Sequence, residues 1–313
     1  MVEKILPKRY ANQNCIENCI ANICDALDLD FRPIFLFSWD FGYDLSKPKV
    51  GERVHYRNSC DMGLNNYLYV AKKYLNIDFS CIPDEKKNIT DLLNKGVCLL
   101  ISIDSFECPW NLAYQKYHYP HFYILKYSDT TGFIAIDSFS SSEPVKVNID
   151  TLNKSKEVYK VDFITADIQN IHSNVFYEFS TALKNNNEFG IFELINKFSF
   201  ELTQINSIYD LASNLTDFSD EHLIRRMRYI ANSRYNTNSF FEYLDLTHSY
   251  IEAMQCIYEK WEALKNFFIK VLISKNLKFL PQASSELIKI LNLEKELCNV
   301  ILRQGAYCND SCK

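Results

Sequence analysis

A chain of 313 residues, 47% hydrophobic and 23% charged, has the composition of a soluble globular protein and can bury one large core or two ordinary ones. Its net charge of −5 sets up no field that would draw nucleic acid, and no RNA- or DNA-binding signature occurs. The opening residues Met1 to Lys8 lack the apolar stretch of a signal peptide, and no apolar run approaches bilayer-crossing length, so the expected setting is the cytoplasm without a membrane partner.

Only 7 glycines stand beside 22 Phe and 20 Tyr, which predicts compact aromatic packing with few flexible linkers. Eleven cysteines, an odd count without an export signal, argue for reduced thiols rather than a disulfide framework. Cys15, Cys19 and Cys24 lie too far around one helix to share a metal ion. Cys308 and Cys312 lack a second pair for tetrahedral zinc. No metal centre is expected, and most of these thiols should be small core residues.

The first half reads as mixed α and β. Asn14-Cys15-Ile16-Glu17 joins a good N-cap residue to a capping-box glutamate, and Ile16, Ile20, Ile23 and Leu27 recur at helical spacing. The run Phe35 to Tyr43 is too aromatic for a solvated loop. A second helix is predicted over Leu64 to Leu75, and a short one from Asp91 that ends at Gly96. A buried strand follows over Val97 to Asp104, then a Tyr-rich stretch containing Pro109, Trp110, His118 and Pro120. Further strands are predicted at His121 to Tyr127, Phe133 to Asp137, Val145 to Val147 and Val158 to Phe163, giving a small antiparallel sheet beside helices.

After about Asp167 helical periodicity dominates, over Asp220 to Ile230, Ser239 to Ile273 and Ser284 to Leu302. Pro281 marks a break, Gly305 an end, and Asn185 to Asn187 a loop. The expected division is a catalytic domain over residues 1–166 and a helical domain over 167–313.

Cys15 falls in the first turn of its helix, where unpaired N–H groups and the helix dipole favour a thiolate. A cysteine nucleophile needs a base, and the base needs an orienter. His121 opens a strongly apolar strand just after a proline, and the next strand ends in Asp137. A hairpin can bring those two positions together, which makes Cys15 the nucleophile, His121 the general base and acid, and Asp137 the orienter. Two alternatives stay open. Cys19 has Gln13 six residues before it but lies a full turn inside the helix on its apolar side. His118 lies in the irregular segment before the strand. A cysteine on a helix is most often core; the cap position and the downstream His–Asp pair set Cys15 apart. His55, His172, His222 and His248 read as surface or structural residues.

A helix with an N-terminal cysteine, packed on an antiparallel sheet, is the arrangement of papain-like folds. The expected class is therefore α+β, with a papain-like cysteine protease fold followed by a mostly α-helical C-terminal region. With these residues assembled, the chain resembles the family named after butirosin biosynthesis protein H. The resemblance rests on Asn14-Cys15-Ile16-Glu17, the Phe35-to-Tyr43 segment, and the span from Val97 through Asp104, Pro109-Trp110, His118 and His121-Phe122-Tyr123 to Ile136-Asp137. It covers about half the chain. Ile16 stands where other members carry a glycine after the cysteine, so the oxyanion-hole donors are not transferable from the family.

The resemblance implies an amide-forming acyltransferase of thiotemplated natural-product biosynthesis. It would take an acyl group from the 4′-phosphopantetheine arm of an acyl or peptidyl carrier protein, hold it on Cys15, and pass it to a small amine. In closthioamide-type pathways that amine is a diamine. No cofactor is implied on the enzyme itself. Asp104 and Glu107 are candidates to hold the substrate ammonium, unless they simply cap the strand end. The cluster Arg225, Arg226, Arg228 and Arg234 would meet an acidic carrier surface, or else form a solvated helix face. The long helices from Ser239 onward admit a homodimer. The competing readings are a papain- or C39-type cysteine peptidase, which would share the triad, and a non-catalytic interaction protein.

Overall fold

A computed structural model describes residues 2–59, 62–83, 89–128, 132–164, 171–188, 190–212 and 222–310. In chain order the elements are α1 (Cys15–Ala26), β1 (Gly42–Tyr43), α2 (Val50–Arg53), β2 (Val54–His55), α3 (Leu64–Tyr74), β3 (Ile77–Cys81) and α4 (Ile89–Asn94). There follow β4 (Cys98–Asp104), β5 (Pro120–Ser128), β6 (Gly132–Ile136), β7 (Val145–Lys146), α5 (Ile149–Asn153) and β8 (Ser155–Phe163). The rest is helical: α6 (Ile171–Glu188), α7 (Ile191–Leu202), α8 (Ile208–Leu211), α9 (His222–Tyr243), α10 (His248–Ser274) and α11 (Leu280–Asp310). The protein is α+β, with an antiparallel sheet and a helical C-terminal region.

The chain divides into two compact units, Met1–Ile34 with Ser59–Gln169, and Phe35–Asn58 with Asn170–Lys313. The aromatic run from Phe35 therefore belongs to the helical unit, which a single boundary at 166/167 does not provide for. Phe35, Trp39, Phe41 and Tyr43 are buried, as their composition requires. Phe41 stacks on Trp261 of α10 at 6.1 Å, and Tyr43 packs on Phe198 of α7 at 5.6 Å.

The first unit is built on a six-stranded sheet of order β3-β8-β4-β5-β6-β7, antiparallel throughout. β4 is buried on both faces, which explains its unbroken apolar sequence Cys98-Leu99-Leu100-Ile101. One face gathers Leu99, Ile101, Ile103, Tyr123, Leu125, Ala135 and Val158 into a core, and α1 packs against β5. Short α4 ends at Gly96, whose φ of +74° is open to glycine at little cost. β3 carries only five residues, and its Asp78 and Ser80 break the apolar pattern that would announce it.

The helical unit differs from expectation in its breaks. Asn185 to Asn187 are the last turn of α6 rather than a loop. Pro281 occupies the first turn of α11, where its missing N–H costs nothing, so the break lies just before it. α11 continues through Gly305, because a lone glycine costs only about 1 kcal/mol in a helix held by packing. No helix of the described residues is long and apolar enough to cross a membrane.

At the centre of the helical unit Arg234 and Glu294 form a fully buried ion pair, with Nε–Oε1 at 2.8 Å and Nη2–Oε2 at 3.0 Å. The same carboxylate accepts the indole N–H groups of Trp39 at 3.1 Å and Trp261 at 2.7 Å. Arg234 Nη1 donates to the Asp40 carbonyl at 2.7 Å. A buried charge is tolerable only when its hydrogen-bonding capacity is filled in this way. Truncating one partner should then cost more than replacing both. Arg234→Met or Glu294→Leu alone is expected to lower stability by about 3–5 kcal/mol in urea unfolding, and the double replacement by clearly less than the two single losses together.

Candidate active site

The site is built from a hairpin. In the β5–β6 register Ile124 faces Ile136, so Asp137, one residue beyond β6, comes level with Tyr123. Side chains two apart along a strand share a face, which makes His121 and Asp137 diagonal neighbours on one side of the sheet. His121 Nε2 lies 2.7 Å from Asp137 Oδ2, with both residues almost fully buried. The sixteen-residue separation is thus a consequence of hairpin length.

Asp137 is held from three directions. Trp110 Nε1 donates to Oδ2 at 2.8 Å, and the Ser140 backbone N–H donates to Oδ1 at 3.2 Å, in addition to the imidazole. Burial by itself would raise the carboxyl pKa, but the neighbouring His121 charge and these hydrogen bonds outweigh it and hold Asp137 below the ordinary carboxylate range. With Nε2 committed to the carboxylate, Nδ1 is the ring nitrogen left to serve a nucleophile. Trp110 also packs edge-on against Tyr123 at 5.3 Å, and Phe139 lies 6.1 Å from the His121 ring.

Helix α1 begins at Cys15 with the capping box in place. The Glu17 N–H donates to Asn14 Oδ1 at 3.0 Å, and the Asn14 N–H donates to Glu17 Oε2 at 2.7 Å. Tyr67 of α3 donates to the other Glu17 oxygen at 2.7 Å and accepts from Asn14 Nδ2 at 3.2 Å, so the box is clamped from a second helix. Asn12, at φ +62°, turns the chain into this cap. Cys15, Asn18, Cys19 and Asn22 form one stripe at i, i+3, i+4 and i+7. That stripe docks on the residue after the orienter, since Asn22 Nδ2 donates to Ser138 Oγ at 2.8 Å and Ser138 Oγ to Asn18 Oδ1 at 3.4 Å. Cys15 stands at the helix-start end of the stripe.

Several other thiols are shifted towards the neutral form. Cys19 is buried, as Cys15 is, and burial, reinforced by the Asp137 charge, pushes its thiol well up. Cys108 is the one the sequence did not single out. Its sulfur, one nitrogen of His121 and an Asp137 oxygen all lie within 4.8 Å of one another. Those are donor atoms a metal ion accepts, yet Cys108 has no exposed surface, and burial and the Asp137 charge drive its thiol far towards the neutral form. Asp137 already carries three donors. Cys108 therefore packs beneath the histidine–carboxylate pair as a core thiol. Cys98 is likewise pushed up to about 12 by burial. Cys60 and Cys312 lie outside the described residues.

The remaining sequence candidates stand apart from the pair. Asp104 accepts from the Phe106 N–H and His118 Nδ1 and from Lys156 Nζ, each at 3.1 Å. Partial burial would raise its pKa, but these partners lower it overall. His118 is exposed and stacks on Phe106 at 4.3 Å, so its carboxylate partner is shared with a lysine at the surface. Glu107 pairs with Lys154 at 2.5 Å. An ammonium ligand would have to displace those lysines. Of the arginine cluster, Arg226 is buried and Arg234 is the core ion pair described above, while Arg228 is exposed. His222 Nε2 donates to the Val54 carbonyl at 3.1 Å, and burial lowers its pKa.

Sequence reasoning missed two contributors. Trp110 was noted only as part of a motif, although an indole N–H near a Cys–His–Asp set is a natural third donor to the orienter. Gln13 was weighed only as a spacing partner of Cys19. It is buried two residues before Cys15, with Oε1 lacking any hydrogen-bond partner among the described residues. A buried amide is rarely left so. Iodoacetamide at mildly acidic pH should label Cys15 ahead of Cys19, Cys24, Cys98 and Cys108, as read by peptide mass spectrometry; dominant labelling of Cys108 would reverse the assignment. Neither a family model nor a curated protein matches the chain.

Proposed function

We propose that the protein is a papain-like cysteine acyltransferase, in which Cys15, His121 and Asp137 move an acyl group from a phosphopantetheine thioester to an amine. One observation carries this reading: a buried His121–Asp137 pair, with no hydrogen bond at His121 Nδ1 among the described residues, on the strand against which the Cys15 helix packs. The helix N-terminus supplies what a thiolate needs and what an oxyanion needs, namely N–H groups without intrahelical acceptors.

The chemistry follows from these roles. The Cys15 thiolate attacks the thioester carbonyl, and the tetrahedral oxyanion is held by N–H groups at the start of α1 and by the Gln13 side-chain Nε2–H. Collapse breaks the bond to the pantetheine sulfur, which leaves as a thiol with the proton of His121. An amine then attacks the Cys15 acyl carbonyl, and His121 takes its proton as the amide forms and the Cys15 thiolate departs. Burial of His121 and Asp137 to a few per cent exposure keeps water scarce around the acyl-enzyme, which favours transfer over hydrolysis. The carrier protein and the small amine are the partners this reaction requires.

Incubation with a carrier-bound acyl thioester should add the acyl mass to the peptide containing Cys15, and a diamine should discharge it as an amide. Cys15→Ala should abolish both, and persistence of amide formation in that variant would sink the proposal. Turnover of peptides but not thioesters would identify a peptidase instead. Asp137→Asn is expected to reduce the acylation rate by about 10²–10⁴-fold, because the imidazole loses its orienting charge. Gln13→Ala should lower the rate constant by about 10²-fold with little change in apparent thioester affinity.

Asp137 also fixes a pH dependence of stability. Its folded pKa is depressed, so its contribution is complete above the unfolded carboxylate pKa of about 4 and is lost as pH falls through the lower folded value. Wild-type protein should lose stability below about pH 4 more steeply than Asp137→Asn, as measured by urea midpoints at successively lower pH.

A further inference from the structure

Arg9 is exposed, and among the described residues it has no carboxylate partner. Its guanidinium lies 5.5 Å from the centroid of Phe139 and donates one hydrogen bond, from Nη1 to the Phe139 carbonyl at 3.1 Å. Phe139 in turn sits 6.1 Å from the His121 ring while remaining 38% exposed. An aromatic side chain thus bridges His121 to an arginine whose other donors have no acceptor among the described residues. The stacked ring fixes the guanidinium plane and lowers the entropy cost of using those donors.

An exposed apolar side chain of the same unit stands on a turn tied to the one that carries Phe139. Asn111 Nδ2 donates to Ser140 Oγ at 3.1 Å, tying the turn after Trp110 to the turn that carries Phe139. Leu112, beside Asn111, is 90% exposed. The rim beside His121 therefore offers a fixed cation, an aromatic face and an aliphatic side chain.

We infer that Arg9 binds the phosphate of the phosphopantetheine arm that delivers the acyl thioester, with Phe139 and Leu112 packing along the arm's aliphatic portion. This rests on the acyl-transfer reading above. Any thioester on such an arm brings a phosphate at the end opposite the sulfur, joined to it by a flexible chain that includes a gem-dimethyl carbon. The two ring spacings place Arg9 well inside that chain's reach from the base. Arginine is the residue whose forked donors match phosphate oxygens, and such charge-assisted bonds are the strong ones.

The test compares two thioesters with the same acyl group, butyryl-4′-phosphopantetheine and butyryl-pantetheine, which differ only in the phosphate. The rate of mass gain at Cys15 in the full chain gives kcat/KM for each. Wild-type protein should prefer the phosphorylated thioester roughly tenfold, Arg9→Gln should show no preference, and Arg9→Lys should retain part of it. A wild-type ratio near one, a preference that survives Arg9→Gln, or a proportional loss with both thioesters would overturn the assignment. Circular dichroism of the variants guards against misfolding as the cause. If neither thioester acylates wild-type Cys15, the acyl-transfer reading fails first and this inference falls with it. A butyryl carrier protein and butyryl-coenzyme A share the phosphate, so Arg9→Gln should impair both. The one that wild-type protein uses faster identifies the source, and indifference of both to Arg9→Gln would count against the phosphate contact.

Discussion

A carboxylate sealed from water has to be surrounded by donors, and Asp137 shows how far that requirement reaches. Its oxygens accept from His121 of β5, from the indole of Trp110, and from the backbone of Ser140 in the turn after β6. Satisfying one buried charge thereby fixes the length of a hairpin, the course of the segment between β4 and β5, and the rotamer of His121. The next residue, Ser138, receives the polar stripe of α1. The position of the helix that begins with Cys15 is consequently tied to the same turn. Asp137 is the residue on which these elements of the first unit converge.

The cysteines illustrate how environment, rather than residue type, sets the acidity of a thiol. Cys108 is close to His121 and Asp137, yet it is sealed in the core beside a negative charge, and both effects oppose ionisation. Cys19 suffers the same pair of effects one turn inside α1. At the first residue of the helix the surrounding partial charges have the opposite sign, because the leading N–H groups lack intrahelical acceptors. Cys15 and Cys19 are both buried, so what sets them apart is position along the helix.

The second unit solves a similar problem without chemistry attached. Glu294 gathers Arg234 and two tryptophan N–H groups, and Arg234 reaches the backbone of Asp40. These bonds draw the Phe35-to-Asn58 segment into the helical unit, along with the aromatic packing of Phe41 and Tyr43. A run of arginines in a sequence suggests a charged surface. Here one of them is the central buried cation, because its partner lies sixty residues away on a different helix.

Local rules made much of the first unit legible. Capping chemistry located the start of α1 to the residue, the glycine after Asn94 and Lys95 ended α4, and the apolar runs of β4 and β5 announced buried strands. Those features depend on groups within a few residues of one another, so the sequence by itself determined them, and with them the candidacy of Cys15, His121 and Asp137. Short β3, the continuation of α11 through Gly305 and the capture of residues 35–58 by the helical unit depend on partners far along the chain. The same holds for the site's finer contents. Trp110 as a donor to Asp137, the orphan amide of Gln13, and the engagement of Asp104 and Glu107 by lysines are decided by which groups meet in space. Hydrogen-bond satisfaction in a dry interior is a property of the assembled structure, and only tertiary packing could assign it.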